Sequence, residues 1–546
     1  MKQKKVMALL LTMGMVMTGC GTMVESGVAE TLREALVIQE DEGVGENFGA
    51  EGDNASDMVE IISETCEDEV TEDGTTICGY VGEFPMISIK GNESATKAIQ
   101  KDVEERKKNF ISASESMQKQ AHAMYKEAVE AGEGEYFQSH GNYGSYTIMK
   151  NDGEILSLVF NYWSYAGGAH GNAVETTANY DLKTGERLTF ENCFKEPESA
   201  VASIKEHILR QCESPYYQDR LSPEYKTYID DIISEDYWYF AKDGMHMIAN
   251  ESAIAAYAVG KQDFVIPYTE VPEMKKEYVK TATFLYPSIQ GQTVQMDLDA
   301  DGVNESICYD LIEEEGETYI DGDGIEYQMG FQVHPSIVID GEEFAELLIS
   351  QQDYWTESLA SYCYFVDLDK NDSYIELAIV DYGVNDNPHT YFFRYDKGEL
   401  KYLGSITDTV DSDTCELLGD GTLKARVHSN LLETIRLDSK FEFQGEKLRE
   451  TDIEWYDMNQ NGEKRTHNIL KEVIVFTEKS TDSATKVLTK AEGPVLFVAT
   501  DNKEWVKIQA GNGDVYYLHM TGFTEIHSGD TTEDAMDVFA DLLIAG

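Results

Sequence analysis

The residues best spaced for chemistry lie in a run of alternating acids, Asp297-Leu298-Asp299-Ala300-Asp301-Gly302, followed by Glu305. Carboxylates at every second position of a tight loop, with a glycine to allow the turn, suit a hard cation such as Ca2+. Asp297, Asp299, Asp301 and Glu305 are therefore expected metal ligands. The run departs from a helix-flanked calcium loop, because Cys308 stands where its closing Glu would be and the flanks read as strands. A looser second set is Asp367, Asp369, Asn371 and Asp372. Asp and Asn also suit turns that hold no metal, so a bare acidic hairpin is the competing reading of both runs.

A different chemistry is offered by Tyr165-Ala166-Gly167-Gly168-Ala169-His170-Gly171-Asn172. A histidine in a glycine-rich turn suits a ligand contact or a general base. The glycines have a simpler use, since they allow the positive φ angles of a sharp connection between strands. No Ser, Cys or carboxylate partner for His170 is identifiable by spacing, so the structural account is preferred. Tyr162, Trp163 and Tyr165 alternate in part to the two sides of a strand and read as core before sugar platform. No nucleophile–base pair, phosphate loop or metal triad stands out, and a non-catalytic protein is expected.

The elements that position these residues follow an export signal. Lys2, Lys4 and Lys5 precede an apolar run from Val6 to Met17, shorter than the roughly 20 residues of a spanning helix. A basic start and a short apolar stretch describe a signal peptide, here residues 1–19. Met17-Thr18-Gly19-Cys20 resembles the bacterial lipobox, with Met17 in place of the usual Leu. The resemblance implies a diacylglyceryl lipid on Cys20, fixing the chain to the outer face of the bacterial cytoplasmic membrane, towards the cell wall.

The 546 residues suggest about three domains. Acidic residues number 102 against 43 basic, a net charge of −59 that excludes nucleic acid as a partner. Seven cysteines follow Cys20, none in a Cys-x-x-Cys pair, so zinc is not expected. Cys66–Cys78 and Cys193–Cys212 are close enough in sequence to propose as disulfides.

Residues 20–75 are polar and acidic and read as a tether. From 79 to 271 an α+β module is expected, a long helix packed on an antiparallel sheet. Its helix runs from Ser94 to about Ala131, capped by Asn92, with Val103, Phe110, Met117 and Met124 recurring every seven residues. Further helices are expected at about Pro197–Cys212 and Ser222–Ser234. Residues 280–462 read as an Asp-rich β domain and 463–525 as a small barrel of five short strands. The tail, 526–546, is expected to end in one amphipathic helix, Asp534–Leu543.

The octapeptide at 165–172 resembles the YxGGAHG signature of an extracellular domain family. That family occurs in RsiV-type lysozyme-sensing anti-sigma factors and ahead of the catalytic domain of PdaC-type peptidoglycan deacetylases. The long helix before it, Asp181-Leu182-Lys183-Thr184-Gly185 after it, and Ala256-Tyr257-Ala258-Val259-Gly260 with Val265-Ile266-Pro267-Tyr268 at the end extend the likeness over 79–271. No spanning segment accompanies it here, and the deacetylase metal motifs are missing. What the resemblance implies is a wall-facing binding module, with Tyr165, Gly167, Gly168 and His170 at its ligand. The last region is similar to a bacterial SH3 domain, with Trp505-Val506-Lys507-Ile508 at its expected aromatic position, which adds Trp505 to the candidate contacts. The expectation is a non-catalytic surface lipoprotein binding peptidoglycan or a lysozyme-like muramidase. Its rivals are a peptidoglycan deacetylase or hydrolase, and a protector that binds lysozyme.

Overall fold

In the computed structural model the chain is described from residue 58 to 544, apart from 73, 219, 272–273, 280–283, 316–317, 321–325, 329–330, 351–358, 384–386, 445, 460–463 and 529–530. The signal segment, Cys20 and the tether up to residue 57 lie outside the described residues. The described residues gather into two compact units: those from 58 to 297, from 301 to 366 and 382–383 in one, and those of 298–300, 367–381 and from 387 to 544 in the other. Strands dominate both, and among the described residues no helix is long and apolar enough to cross a membrane.

The first unit opens with β1 (Val59–Glu72) and β2 (Thr75–Ile89), an antiparallel hairpin. Residues 59–72 are therefore sheet where a tether was expected. Their acids hid the pattern, because several are answered from the neighbouring helix: Glu64 by Lys107 at 2.7 Å and Glu72 by His122 at 2.5 Å. The helix is α1 (Glu93–Glu130), 38 residues long and thus about 57 Å. Asn92 caps it, its side chain accepting from the Ala95 N–H at 3.2 Å. The Asn92 amide also donates to the Lys183 carbonyl at 2.9 Å, which ties the helix start to a distant turn.

After α1 come β3 (His140–Asn151), β4 (Ile155–Tyr165) and β5 (Asn172–Asp181), giving a sheet in the order β1-β2-β3-β4-β5. The sheet is mixed where an antiparallel one was expected. β2 and β3 run parallel, Cys78 opposite His140 through Gly82 opposite Gly144, because a helix crossover returns the chain in its starting direction.

The buried face of α1 is Ala95, Ile99, Val103, Phe110, Ser114, Gln118, Ala121 and Tyr125. The expected seven-residue stripe holds to Phe110 and then drifts off, leaving Met124 50% exposed. A straight helix of 3.6 residues per turn does not keep a 3.5-residue stripe on one face. Phe110 sits over the paired glycines: a Cβ on Gly82 would come within 2.5 Å of its ring and one on Gly144 within 3.2 Å. Below the ring lie Tyr80, Phe84 and Tyr162, with centroids 5.6–6.1 Å away.

A second core in this unit joins α2 (Pro197–Cys212) and α3 (Tyr225–Ile232) to the antiparallel strands β6 (Trp238–Phe240), β7 (Gly244–Ala249) and β8 (Gln262–Pro267). Both helices lie where apolar spacing places them. Neither expected disulfide forms, and all seven described cysteines are free thiols. Cys66 pairs with Gly82 in the hairpin, which is four residues from Cys78, or roughly 13 Å along the strand. Cys212 ends α2, about 22 Å beyond its first residue, and the few residues back to Cys193 reach roughly 14 Å at full stretch. Neither pair can approach the ~7 Å limit for a bridge.

In the second unit the five strands expected at its end are present, as Val473–Phe476, Thr485–Leu488, Val495–Thr500, Trp505–Gln509 and Val515–His519. The pairings described leave their sheet open, with Tyr456–Asp457 and Thr485–Leu488 at its ends, so the expected barrel is not closed. The tail holds one helical turn, Ala535–Val538, in place of the amphipathic helix. Past it Phe539 bridges Ile469, and the Ala540 carbonyl lies 3.0 Å from His467 Nδ1.

The Phe110 seat yields a direct test. Phe110→Ala should cost about 3–5 kcal/mol, and Gly82→Ala about 1–3 kcal/mol through overpacking. Denaturant melts of the two variants check both, and an unchanged midpoint for Gly82→Ala would contradict the close approach.

Candidate functional site

The octapeptide forms the connection between β4 and β5, where the apolar burial of β4 gives way to half-buried residues from Asn161 onward. Gly167 and Gly168 adopt φ of +83° and +106°, so the turn needs their lack of a side chain. Gln138, just before β3, holds the turn from the side. Its Oε1 accepts from the Gly168 N–H at 2.9 Å and from the Tyr165 hydroxyl at 2.7 Å. The same hydroxyl lies 2.9 Å from the Gly168 carbonyl.

His170 is exposed, and its Nδ1 lies 2.9 Å from the Gly171 carbonyl. A carbonyl can only accept, so Nδ1 carries the proton and Nε2 presents a lone pair when the ring is neutral. The ring stacks on Tyr257 with centroids 3.9 Å apart and planes 22° apart. Tyr257 donates to the same Gly171 carbonyl at 3.1 Å. Gly171 packs against Trp163, where a Cβ would meet the indole at 2.4 Å, and Trp163 lies nearly parallel to Tyr165. The turn places Trp163, Gln138 and Tyr257 beside Tyr165, Gly167, Gly168 and His170. Tyr257 stands 86 residues after Gly171, beyond the reach of any local spacing signal. It opens the 3-10 turn Tyr257–Val259, which brings its ring back to the octapeptide.

Trp505 is placed differently. It is 7% exposed and packs against Phe476 and His519, with centroids 5.6 and 4.6 Å away, so it serves the sheet core. The tryptophan left half-exposed in that unit is Trp455, with Lys479 and Lys507 amino groups 4.6 and 4.4 Å from its ring centroid.

The acidic runs also part ways. Asp297, Asp301 and Glu305 belong to the first unit and Asp299 to the second. One Asp297 oxygen accepts from the Gly302 N–H at 3.0 Å while the other is buried without a hydrogen-bond partner. The Asp301 carboxylate accepts from the Val303 N–H at 2.8 Å. The second run closes on itself. Asp369 accepts from the Asn371 N–H and side-chain amide at 3.0 and 2.8 Å. Asp372 pairs with Arg394 at 2.8 Å, and Arg394 also bonds the fully buried Glu376. A guanidinium supplies positive charge here. Burial, with Asp372 next, raises the Asp367 pKa. Burial also lifts Glu376 to about 7 against the pull of Arg394.

One polar cluster has no advance signal beyond an Asp three residues before a His. His246 on β7 lies between Asp243, 2.9 Å from Nε2, and Asp263 on β8, 3.0 Å from Nδ1. The Tyr239 hydroxyl donates to Asp263 at 2.6 Å. Burial opposes charge on the ring, but the two carboxylates outweigh it and push the His246 pKa up to about 10. Burial likewise opposes charge on Asp263, and His246 with Lys261 and Tyr239 offsets it, holding that carboxyl below its ordinary value of 3.8. The cluster locks β6, β7 and β8 together.

Its pH dependence has a definite sign. A raised histidine value means its stabilisation is full below the ordinary 6.5 and is lost as pH rises through about 10. The lowered Asp263 contributes above 3.8 and loses its share as pH falls below that. Melting temperature should therefore fall as pH rises from 6.5 towards 10. His246→Asn should flatten that slope and cost about 3–5 kcal/mol at neutral pH. Equal slopes for both proteins would remove the charged-histidine account.

Comparison with known proteins touches the first unit. Residues 72–173 match the family model described as Deacetylase PdaC. The peptidoglycan-N-acetylmuramic acid deacetylase PdaC of Bacillus subtilis (strain 168) is 26% identical over 146 residues, 25% of this chain and 30% of that protein. The chain thus spans under a third of that relative's length. Two solved structures of the DUF3298 family are also similar. One, from Bacteroides fragilis, has 18% identity and a TM-score of 0.32, covering 42% of this chain and 95% of its own. The other, from Pseudomonas aeruginosa PAO1, has 12% identity and a TM-score of 0.26, covering 40% of this chain and 94% of its own. Scores this low carry no argument about architecture. What the sequence matches support is a PdaC-like domain at residues 72–173, which includes the glycine-rich turn.

Proposed function

We propose that this chain is a lipid-anchored surface protein that binds a peptidoglycan-associated ligand without cleaving it. The observation that carries the reading is the likeness of residues 72–173 to the PdaC family, whose relative in Bacillus subtilis is named for acting on peptidoglycan. That activity is not carried over, because the match covers 30% of the relative. The arrangement around His170 favours binding: Nδ1 is engaged by a backbone carbonyl and the ring is stacked on Tyr257. A cationic muramidase is a second ligand to try, since a net charge of −59 would speed its approach.

Sedimentation with purified peptidoglycan tests the reading. The protein should pellet with the polymer and release neither acetate nor soluble fragments. Absence from the pellet would end the binding proposal, and acetate release would replace it with a deacetylase. Lysozyme at two salt concentrations serves as the comparison ligand. In the same preparation, Cys20→Ala should move the protein from the membrane fraction to the medium, since a diacylglyceryl pair gives stable anchoring where one chain does not.

The acidic run Asp297, Asp299, Asp301 and Glu305 is proposed as a Ca2+ site on the spacing of its carboxylates. Calcium at a hundred times its Kd should stabilise the fold by about 2.7 kcal/mol. Melting in calcium and in chelator checks this, with Asp299→Asn as control, and superimposable curves would remove the site.

A further inference from the structure

We propose that the turn Tyr165–Asn172, together with Tyr257, is a saccharide site that takes the neutral glycan of a wall polymer, His170 Nε2 accepting a sugar hydroxyl. The proposal rests on the peptidoglycan-binding reading and narrows it to one part of the polymer.

Three observations converge on a sugar. First, the His170 ring is fixed before any ligand arrives. Nδ1 donates to the Gly171 carbonyl at 2.9 Å, and the ring is stacked 3.9 Å from Tyr257, so Nε2 points its lone pair away from both. A fixed acceptor on an exposed ring is suited to a hydroxyl donor, and fixing it beforehand lowers the entropy lost on binding. Second, aromatic surface lies along the same turn. Trp163 and Tyr165 are half-exposed with planes 9° apart, and Tyr257 is 37% exposed. Flat rings beside a few placed polar groups are what an amphipathic ligand such as a pyranose requires.

Third, charge argues against the peptide portion of the wall. A stem peptide carries carboxylates, which call for a lysine or arginine. The lysine that follows Tyr257, Lys261, has both Glu175 oxygens at 2.6 Å. Glu251 stands beside the same turn, its carboxylate 3.4 Å from the Ala173 N–H. An acidic surround of this kind repels a carboxylate and is indifferent to a hydroxyl or an acetamide.

The test is calorimetric titration of the full chain with two probes, chitotetraose and a synthetic stem tetrapeptide. Chitotetraose should bind and the peptide should not. His170→Phe keeps a ring against Tyr257 but removes both nitrogens, and it should weaken chitotetraose about tenfold, the equivalent of one good hydrogen bond. His170→Gln, which keeps an acceptor, should recover part of that loss. A melt of each variant shows whether the fold is intact, and the Gln variant carries the test if the Phe variant melts early. Wild-type affinity in both variants would overturn the role of Nε2. Peptide binding without chitotetraose binding would overturn the glycan assignment. If whole peptidoglycan pellets the protein while chitotetraose fails to bind, the glycan assignment falls and the broader reading stands. If neither binds, both fall.

Discussion

A phenyl ring can approach two neighbouring strands as closely as Phe110 does only where both strands lack a side chain. Gly82 and Gly144 supply that gap side by side, on the two strands that run parallel. The ring thereby sets how far along the sheet α1 lies, and so where the chain re-enters as β3. Gln138 stands just ahead of β3, and it is Gln138 that holds Tyr165 and Gly168. A packing contact in the core and a turn at the rim are therefore linked through the same strand. The coupling runs through one crossover and five paired residues, from Cys78 opposite His140 to Gly82 opposite Gly144.

Strong acidity does not leave the charges idle. Several inward-turned carboxylates hold a cation: Arg394 at the buried Glu376, His246 between Asp243 and the half-buried Asp263, and Arg106 at the half-buried Asp102. Arg106 also reaches the Thr177 carbonyl at 3.2 Å and lies over Phe160, so it joins helix to sheet as well as neutralising a charge. Such pairs contribute little as replacements for apolar packing, yet removing one partner is costly. Basic residues are scarce in this chain, and several of them are committed to interior positions.

Local signals are legible in the sequence and distant ones are not. Asn92 as a cap, both later helices and the five short strands near the end follow from periodicity and capping chemistry. The glycine turn is visible as a turn, but its partners Gln138 and Tyr257 are not, because each is brought in by tertiary pairing. Acidic β1 reads as tether because its hydrophobic alternation is broken by Glu and Asp residues that face the helix. Motif likeness favours Trp505 over Trp455, although burial separates the two. The His246 cluster draws on three strands, and no linear spacing announces it.

The unpaired cysteines have a chemical consequence of their own. Burial pushes the Cys78 thiol up to about 11 and the Cys212 thiol up to about 12. Only a thiolate attacks a disulfide or an alkylating reagent, so at neutral pH these sulfurs are inert while the core is closed. Folding of the first unit then requires no oxidant, and an oxidising surround has little to act on at these two positions. Opening of the core would convert both into ordinary reactive thiols at once. The sulfur atoms are in this sense a latent reporter: their rate of modification measures how often the interior opens to water.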